Sequence, residues 1–285
     1  MHSRTGAWLA AVLAGAVALA GCGSDLSPTA AAKSPLAYSR FVNAVADSGA
    51  SDWRFIDVIE NSPVAFGLNF RQTFPGAGYQ ATGAGPRHLR IFQTSTNIQQ
   101  TQKVWFDTTF TFDEGVHYTI LAAGNLRTGS ATPAKLYIIK DDFTDPGASI
   151  AVRVLNAGAA SSADVYASAS GGASPLPSSP LTAGVAAFTA SAYKTMSVGP
   201  LALRLTSSGS TSVLVDAAAP SGAPADKANN LTAVGGSTQA GSAFTAIFFP
   251  AAVAGSPSAG SAACTTKCAA PGFVYIVDRY PPSGF

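Results

Sequence analysis

The chain repeats itself, and that constrains its fold more than any other feature. Arg40-Phe41-Val42-Asn43-Ala44 recurs as Arg153-Val154-Leu155-Asn156-Ala157, and Asp57-Val58 as Asp164-Val165. Gly85-Pro86-Arg87-His88-Leu89-Arg90-Ile91 recurs as Gly199-Pro200-Leu201-Ala202-Leu203-Arg204-Leu205. Glu114 to Ile120 recurs as Ala240 to Ala246, and Leu136-Tyr137-Ile138-Ile139 as Val274-Tyr275-Ile276-Val277. Matches in one order, at changing spacing, describe two copies of one unit with insertions placed in loops.

Each matched piece reads as a strand. From Val104 to Phe112 the residues alternate, with Val104, Phe106, Thr108, Phe110 and Phe112 on one face and Trp105, Asp107, Thr109 and Thr111 on the other. Gly-Pro and Thr-Pro pairs punctuate these runs, and no sustained helical period appears after the N-terminal segment. The expectation is all-β: two tandem immunoglobulin-like antiparallel β-sandwich domains, repeat 1 over 36–146 and repeat 2 over 147–285. The turn Thr144-Asp145-Pro146-Gly147 marks the boundary, and each repeat is expected to fold by itself.

The N-terminus reads as an address. An uncharged stretch from Ala7 to Ala20 is too short to span a bilayer but fits a secretory signal. It ends Leu19-Ala20-Gly21-Cys22, which resembles the bacterial lipobox, where the cysteine thiol receives a diacylglyceryl group. The expectation is a signal peptide over 1–21, a lipid attached at Cys22 and a flexible tether over 22–35. Gly23, standing where inner-membrane lipoproteins carry aspartate, favours export to the outer membrane or cell surface, with Asp25 nearby as the opposing sign.

The repeat also resembles a family named only as domain of unknown function 4397. Its units open with an Arg-x-Val/Leu-Asn-Ala strand, continue to an Asp-Val-Tyr segment and close near a Gly-x-x-Tyr-Thr strand. Arg40–Ala44, Arg153–Ala157, Asp164-Val165-Tyr166 and Gly115–Thr119 carry the resemblance, and Gly241–Thr245 has Phe for Tyr. The resemblance implies exported bacterial proteins, often lipoproteins, with no established reaction.

Little material for chemistry is present. Charged residues are 11% of the chain and the net charge is +2, with no Lys/Arg run, so a nucleic-acid partner is not expected. No Gly-x-Ser-x-Gly elbow accompanies His88 or His117, which read as strand-surface residues. Cys264 and Cys268, in an exported chain, are expected to form a disulfide, with free thiols or a metal as alternatives. Asp57, Glu60, Asp113, Glu114, Asp141 and Asp142 read as solvated turn carboxylates, with no EF-hand or glycosidase spacing. Gly76 to Ala81 fits a loose dinucleotide pattern without its strand and helix. Trp53, Tyr79 and Trp105 are candidate sugar-stacking rings; the alternative for Trp105 is packing under a loop or against repeat 2.

The expectation is therefore a non-enzymatic, membrane-anchored envelope lipoprotein acting as a structural, adhesion or interaction module. No catalytic, metal or cofactor residue is assigned. Its partners are the membrane, through the lipid, and an envelope or extracellular protein or glycan. A module binding glycan or cell-wall polymer is the alternative.

Overall fold

The computed structural model describes residues 34–58, 63–143, 145–169, 175–261, 264 and 268–282. Cys22, the signal segment and most of the tether, and Glu60, lie outside the described residues.

Strands make up nearly all the regular secondary structure of the described residues, with one helical turn at Ile98–Thr101 and one 3-10 turn at Lys227–Asn229. Repeat 1 holds β1 (Leu36–Val45), β2 (Ser51–Phe55), β3 (Ala65–Leu68), β4 (Gln72–Phe74), β5 (Gln80–Gly83), β6 (Gly85–Gln93), β7 (Val104–Phe112), β8 (His117–Gly124) and β9 (Lys135–Asp141). Repeat 2 holds β10 (Ile150–Asn156), β11 (Ser162–Ser168), β12 (Thr182–Ala186), β13 (Thr189–Ala190), β14 (Lys194–Met196), β15 (Ala202–Ser207), β16 (Val213–Ala218), β17 (Ala243–Phe249) and β18 (Gly272–Arg279).

The sheets repeat as the sequence does. In repeat 1 one sheet runs β4-β1-β8-β9, with β5 also on β1, and the other runs β3-β2-β6-β7. Repeat 2 duplicates them as β13-β10-β17-β18, with β14 on β10, and β12-β11-β15-β16. Each repeat is thus a two-sheet sandwich of mostly antiparallel strands. One pair per repeat is parallel: β1 beside β8, and β10 beside β17. Parallel neighbours need a long crossover, and the second sheet supplies it.

The registers correct one of the repeat matches. Arg54 lies opposite Arg90 in repeat 1 and Tyr166 opposite Arg204 in repeat 2, which aligns Asp52, not Asp57, with Asp164. The hydrogen bonds agree. Asp52 accepts from the Gly67 amide and Asp164 from the Gly184 amide, both at 2.8 Å, and both glycines sit at positive φ. A turn set by an aspartate and a distant glycine leaves no mark in a two-residue match.

The four sheets stack as layers. One core, between the two sheets of repeat 1, contains Phe41, Trp53, Phe55, Leu89, Ile91, Phe112 and Ile120. Its counterpart in repeat 2 contains Val152, Val154, Val165, Leu203, Leu205, Phe244 and Phe248. A third core joins the repeats: Val42, Ala44, Leu121 and Ala123 of repeat 1 meet Leu155, Ala157, Ile247, Phe249 and Ile276 of repeat 2. Strands β1 and β8 therefore bury both faces, odd and even positions serving different cores. This explains why Phe-Val-Asn-Ala-Val and Ile-Leu-Ala-Ala read as continuous apolar runs instead of alternating. No strand pairs across the repeat boundary among the described residues, yet residues 36–285 cluster as one compact unit.

The loop between β17 and β18 adds to the junction. The Cys264–Cys268 disulfide forms, and both cysteines are buried with Ala252 of repeat 2 and with Ala46 and Phe70 of repeat 1. Ser258 donates its hydroxyl to the Ser48 carbonyl at 2.5 Å, and the Arg71 guanidinium donates to the Pro250 and Ala270 carbonyls.

Candidate functional site

The residues that recur most clearly converge in the layer between the repeats. Arg40 and Arg153 stand at the same place on β1 and β10, and their side chains turn toward one another's repeat. The Arg40 guanidinium pairs with Asp278 of β18 and lies 3.6 Å from Asp141 of β9. The Arg153 guanidinium pairs with Asp141 at 2.5 Å. Each arginine also donates through Nε to a threonine of its own repeat, Arg40 to Thr119 and Arg153 to Thr245, both at 2.8 Å. Each threonine hydroxyl in turn donates to the local carboxylate, Thr119 to Asp141 and Thr245 to Asp278. Each guanidinium stacks on a tyrosine, Arg40 on Tyr79 at 4.7 Å and Arg153 on Tyr193 at 4.8 Å. Those phenols donate to Asp141 at 2.8 Å and Asp278 at 2.7 Å.

The arrangement is pseudo-two-fold: one Arg, Asp, Thr and Tyr from each repeat, with the closest ion pairs, Arg40–Asp278 and Arg153–Asp141, made across the boundary. The four charged side chains are buried and sum to zero. Buried charges persist only when paired and hydrogen-bonded, as these are. Burial is the largest single influence and opposes the charge on Arg40, but the surrounding groups, Asp278 first among them, together outweigh it and raise its pKa. Burial likewise holds the Tyr79 and Tyr193 hydroxyls protonated, well above the usual tyrosine range.

A groove of about 420 Å³ opens at the rim of this network, lined by Gly115, Val116, His117, Lys140, Asp141, Asp142 and Phe143. The His117 ring stacks on Tyr38 at 4.6 Å and meets Tyr79 and Phe143 edge-on. Burial among these rings pushes its pKa down, with Asp141 pulling the other way, Arg40 adding to the depression and Asp278 opposing it. Asp141 spends both oxygens inside the network, and the groove brings no serine or cysteine nucleophile to His117 among its described lining.

The other singled-out residues are dispersed. His88 pairs with Asp107 on the outer sheet of repeat 1, where Arg90 holds the same carboxylate at 2.7 Å. Asp57 accepts from Arg87 and from the His88 amide, and Asp113 accepts from Lys140 and Tyr118. Glu114 and Asp142 are exposed. Among the described residues no group of three or more His, Cys, Asp or Glu is placed to hold a metal. Trp53 is fully buried in the first core, and Tyr79 is spent on the Arg40 network. Trp105 is half-buried against the first core, at the bulge where β7 shifts register against β6.

Asn43 and Asn156 explain the rest of the opening motif. Asn43 donates to the Leu68 carbonyl at 2.8 Å and accepts from the Val45 amide, while Asn156 donates to Ala160 and Val185 carbonyls. Each pins the end of a doubly buried strand to the next connection. Sequence reasoning missed Asp278, Tyr193, Thr119 and Thr245 as network members. The signal was there for the threonines, which fall at matching places in the Tyr-Thr and Phe-Thr strands.

The fold and the convergence of these residues define a class: an all-β chain of two sandwiches locked together by the signature residues of its repeats. Residues 37–166 match the family described as Domain of unknown function (DUF4397), and the chain resembles that family across repeat 1 and the first two strands of repeat 2. No curated protein matches the chain.

Proposed function

We propose that this chain is a non-enzymatic, membrane-anchored lipoprotein of the cell envelope whose joined sandwiches form a rigid structural, adhesion or interaction module. One observation carries the reading: the polar residues that define the repeat, Arg, Asn, Thr and Asp, are consumed in internal hydrogen bonds and ion pairs. Such residues specify a shape, not a reaction. The Leu-Ala-Gly-Cys22 ending supports lipid anchoring, and Gly23 supports the outer membrane or surface as destination. Burial of Trp53 and the stacking of Tyr79 on Arg40 take up two of the three candidate sugar-stacking rings, which favours a protein-facing role over a glycan-binding one.

Metabolic labelling with palmitate tests the anchor. The full chain should incorporate label and fractionate with membranes, and Cys22→Ala should do neither. Equal labelling of the variant refutes lipidation at Cys22. Polysaccharide pull-down with the same protein tests the module: retention on a cell-wall polymer would replace the proposed role with glycan binding.

A further inference from the structure

The two repeats treat one face of the fold differently. Arg90 on β6 and Arg204 on β15 occupy matching places, each opposite an aspartate of the next strand, Asp107 on β7 and Asp216 on β16. Leu89 and Ile91, like Leu203 and Leu205, point into the sandwich cores, so by alternation both arginines stand on the outer face of their sheet. Arg204 is only 1% exposed, whereas the Arg90 side chain is 38% exposed. The chain itself supplies the cover on Arg204. The connection between β11 and β12 carries Pro175-Leu176-Pro177, the Pro175 carbonyl accepts from the Arg204 guanidinium at 3.0 Å, and Leu176 and Pro177 are half-buried. Prolines favour extended backbone, which makes no internal hydrogen bonds and leaves its carbonyls free to accept.

Repeat 1 presents the same face with more donors and a shorter connection, 56–64 against 169–181. Arg54 stands where repeat 2 has Tyr166, directly opposite Arg90. Among the described residues Arg54 makes no hydrogen bond or ion pair, and the Arg90 guanidinium bonds only to Asp107, through Nε. A cavity of about 330 Å³ opens here, and Asp52, Arg54, Phe66 and Phe92 are in its lining. Phe66 is 73% exposed, and Phe92 lies opposite Asp52 in the row next to the arginines. Asp52 and Asp107 balance the two guanidinium charges. The face therefore offers donors without net charge, which suits a neutral carbonyl better than a phosphate or carboxylate. Exposed rings beside such donors match an extended proline segment, whose pyrrolidine rings pack on aromatic side chains.

We infer that the outer face of repeat 1 docks an extended, proline-containing segment of a partner protein, with Arg54 and Arg90 donating to its carbonyls and Phe66 and Phe92 packing on its prolines. Repeat 2 supplies the template, because its own Pro175-Leu176-Pro177 already covers the matching arginine. The inference gives a partner class to the interaction module proposed above and rests on that reading.

The test uses the full chain and a fluorescently labelled peptide, Ala-Ser-Pro-Leu-Pro-Ser-Ser-Pro, which copies residues 173–180. Fluorescence anisotropy should show saturable binding with a Kd below about 1 mM. Arg54→Ala and Phe66→Ala should each weaken binding at least about tenfold while keeping the parental circular dichroism. A peptide with its prolines replaced by alanine should bind at least about fivefold more weakly, because it is no longer held extended before binding. Absence of saturation at about 1 mM overturns the inference and leaves the interaction-module reading standing, since polysaccharide pull-down tests that separately. Binding that both variants leave unchanged also overturns it, by placing the peptide on another face. Retention on a cell-wall polymer that Phe66→Ala abolishes would assign the face to glycan and overturn the inference together with the protein-facing reading.

Discussion

Removing the charge of Asp278 should destabilise the whole chain, not only the repeat that carries it. Asp278→Asn keeps the side chain's volume but takes away a carboxylate that accepts from Arg40, Tyr193 and Thr245. Two buried arginines then share Asp141, and the layer between the repeats carries one uncompensated positive charge. Breaking a buried pair in this way costs about 3–5 kcal/mol. Asp141 still lies 3.6 Å from Arg40, which places the expected loss at the lower end, about 3 kcal/mol. For a urea dependence near about 3 kcal/mol per molar, suited to a chain of this size, the midpoint falls by about 1 M with slope unchanged. Replacing both partners, Arg40→Met with Asp278→Leu, removes the buried charge as well as its counter-charge and should recover much of the loss. A double-mutant cycle between the two sites therefore gives strong coupling. Additive effects below about 1 kcal/mol each, the level of an exposed ion pair, would refute the buried network as the lock between repeats.

The same junction makes further expectations. Phe249→Ala, in the shared core and edge-on to Phe70 at 6.2 Å, should cost about 3–5 kcal/mol by urea unfolding. Calorimetry of the parent should show one transition, and two separated transitions would mean that the repeats unfold independently despite the shared layer. Replacing Cys264 and Cys268 by alanine should cost at least about 2 kcal/mol, the loop-closure value for so small a ring. Protease cleavage should then begin in the loop that covers Phe70; unchanged cleavage would separate the disulfide from the junction. His117 has a folded pKa below its ordinary value, so below about pH 6.5 the unfolded chain binds the proton that the folded chain resists. Stability should therefore fall as pH drops from there through the folded pKa, and His117→Gln should flatten that slope. An identical acid profile for the variant would refute the assignment.

Much of this architecture is legible in the sequence because it is local. Alternation from Phe106 to Phe112, the Gly-Pro turns and the twice-used Arg-x-x-Asn-Ala opening follow from side-chain period and backbone sterics within a few residues. The two sandwiches, with their matching strand orders, follow from that repetition. What Arg40 and Arg153 are for does not. Their partners Asp278 and Asp141 come from the other repeat, and Tyr79 and Tyr193 from connections whose lengths differ. No period or motif encodes a meeting between residues some 240 positions apart. The third core is equally silent in one dimension, because Val42 and Leu121 look like members of any buried strand until a second sheet is known to cover their face. Sequence determined the strands and their duplication through local geometry. Only the tertiary structure decided that the repeats share a layer, because burying those apolar faces together leaves the arginines a dry site, and in a dry site each must find an opposite charge.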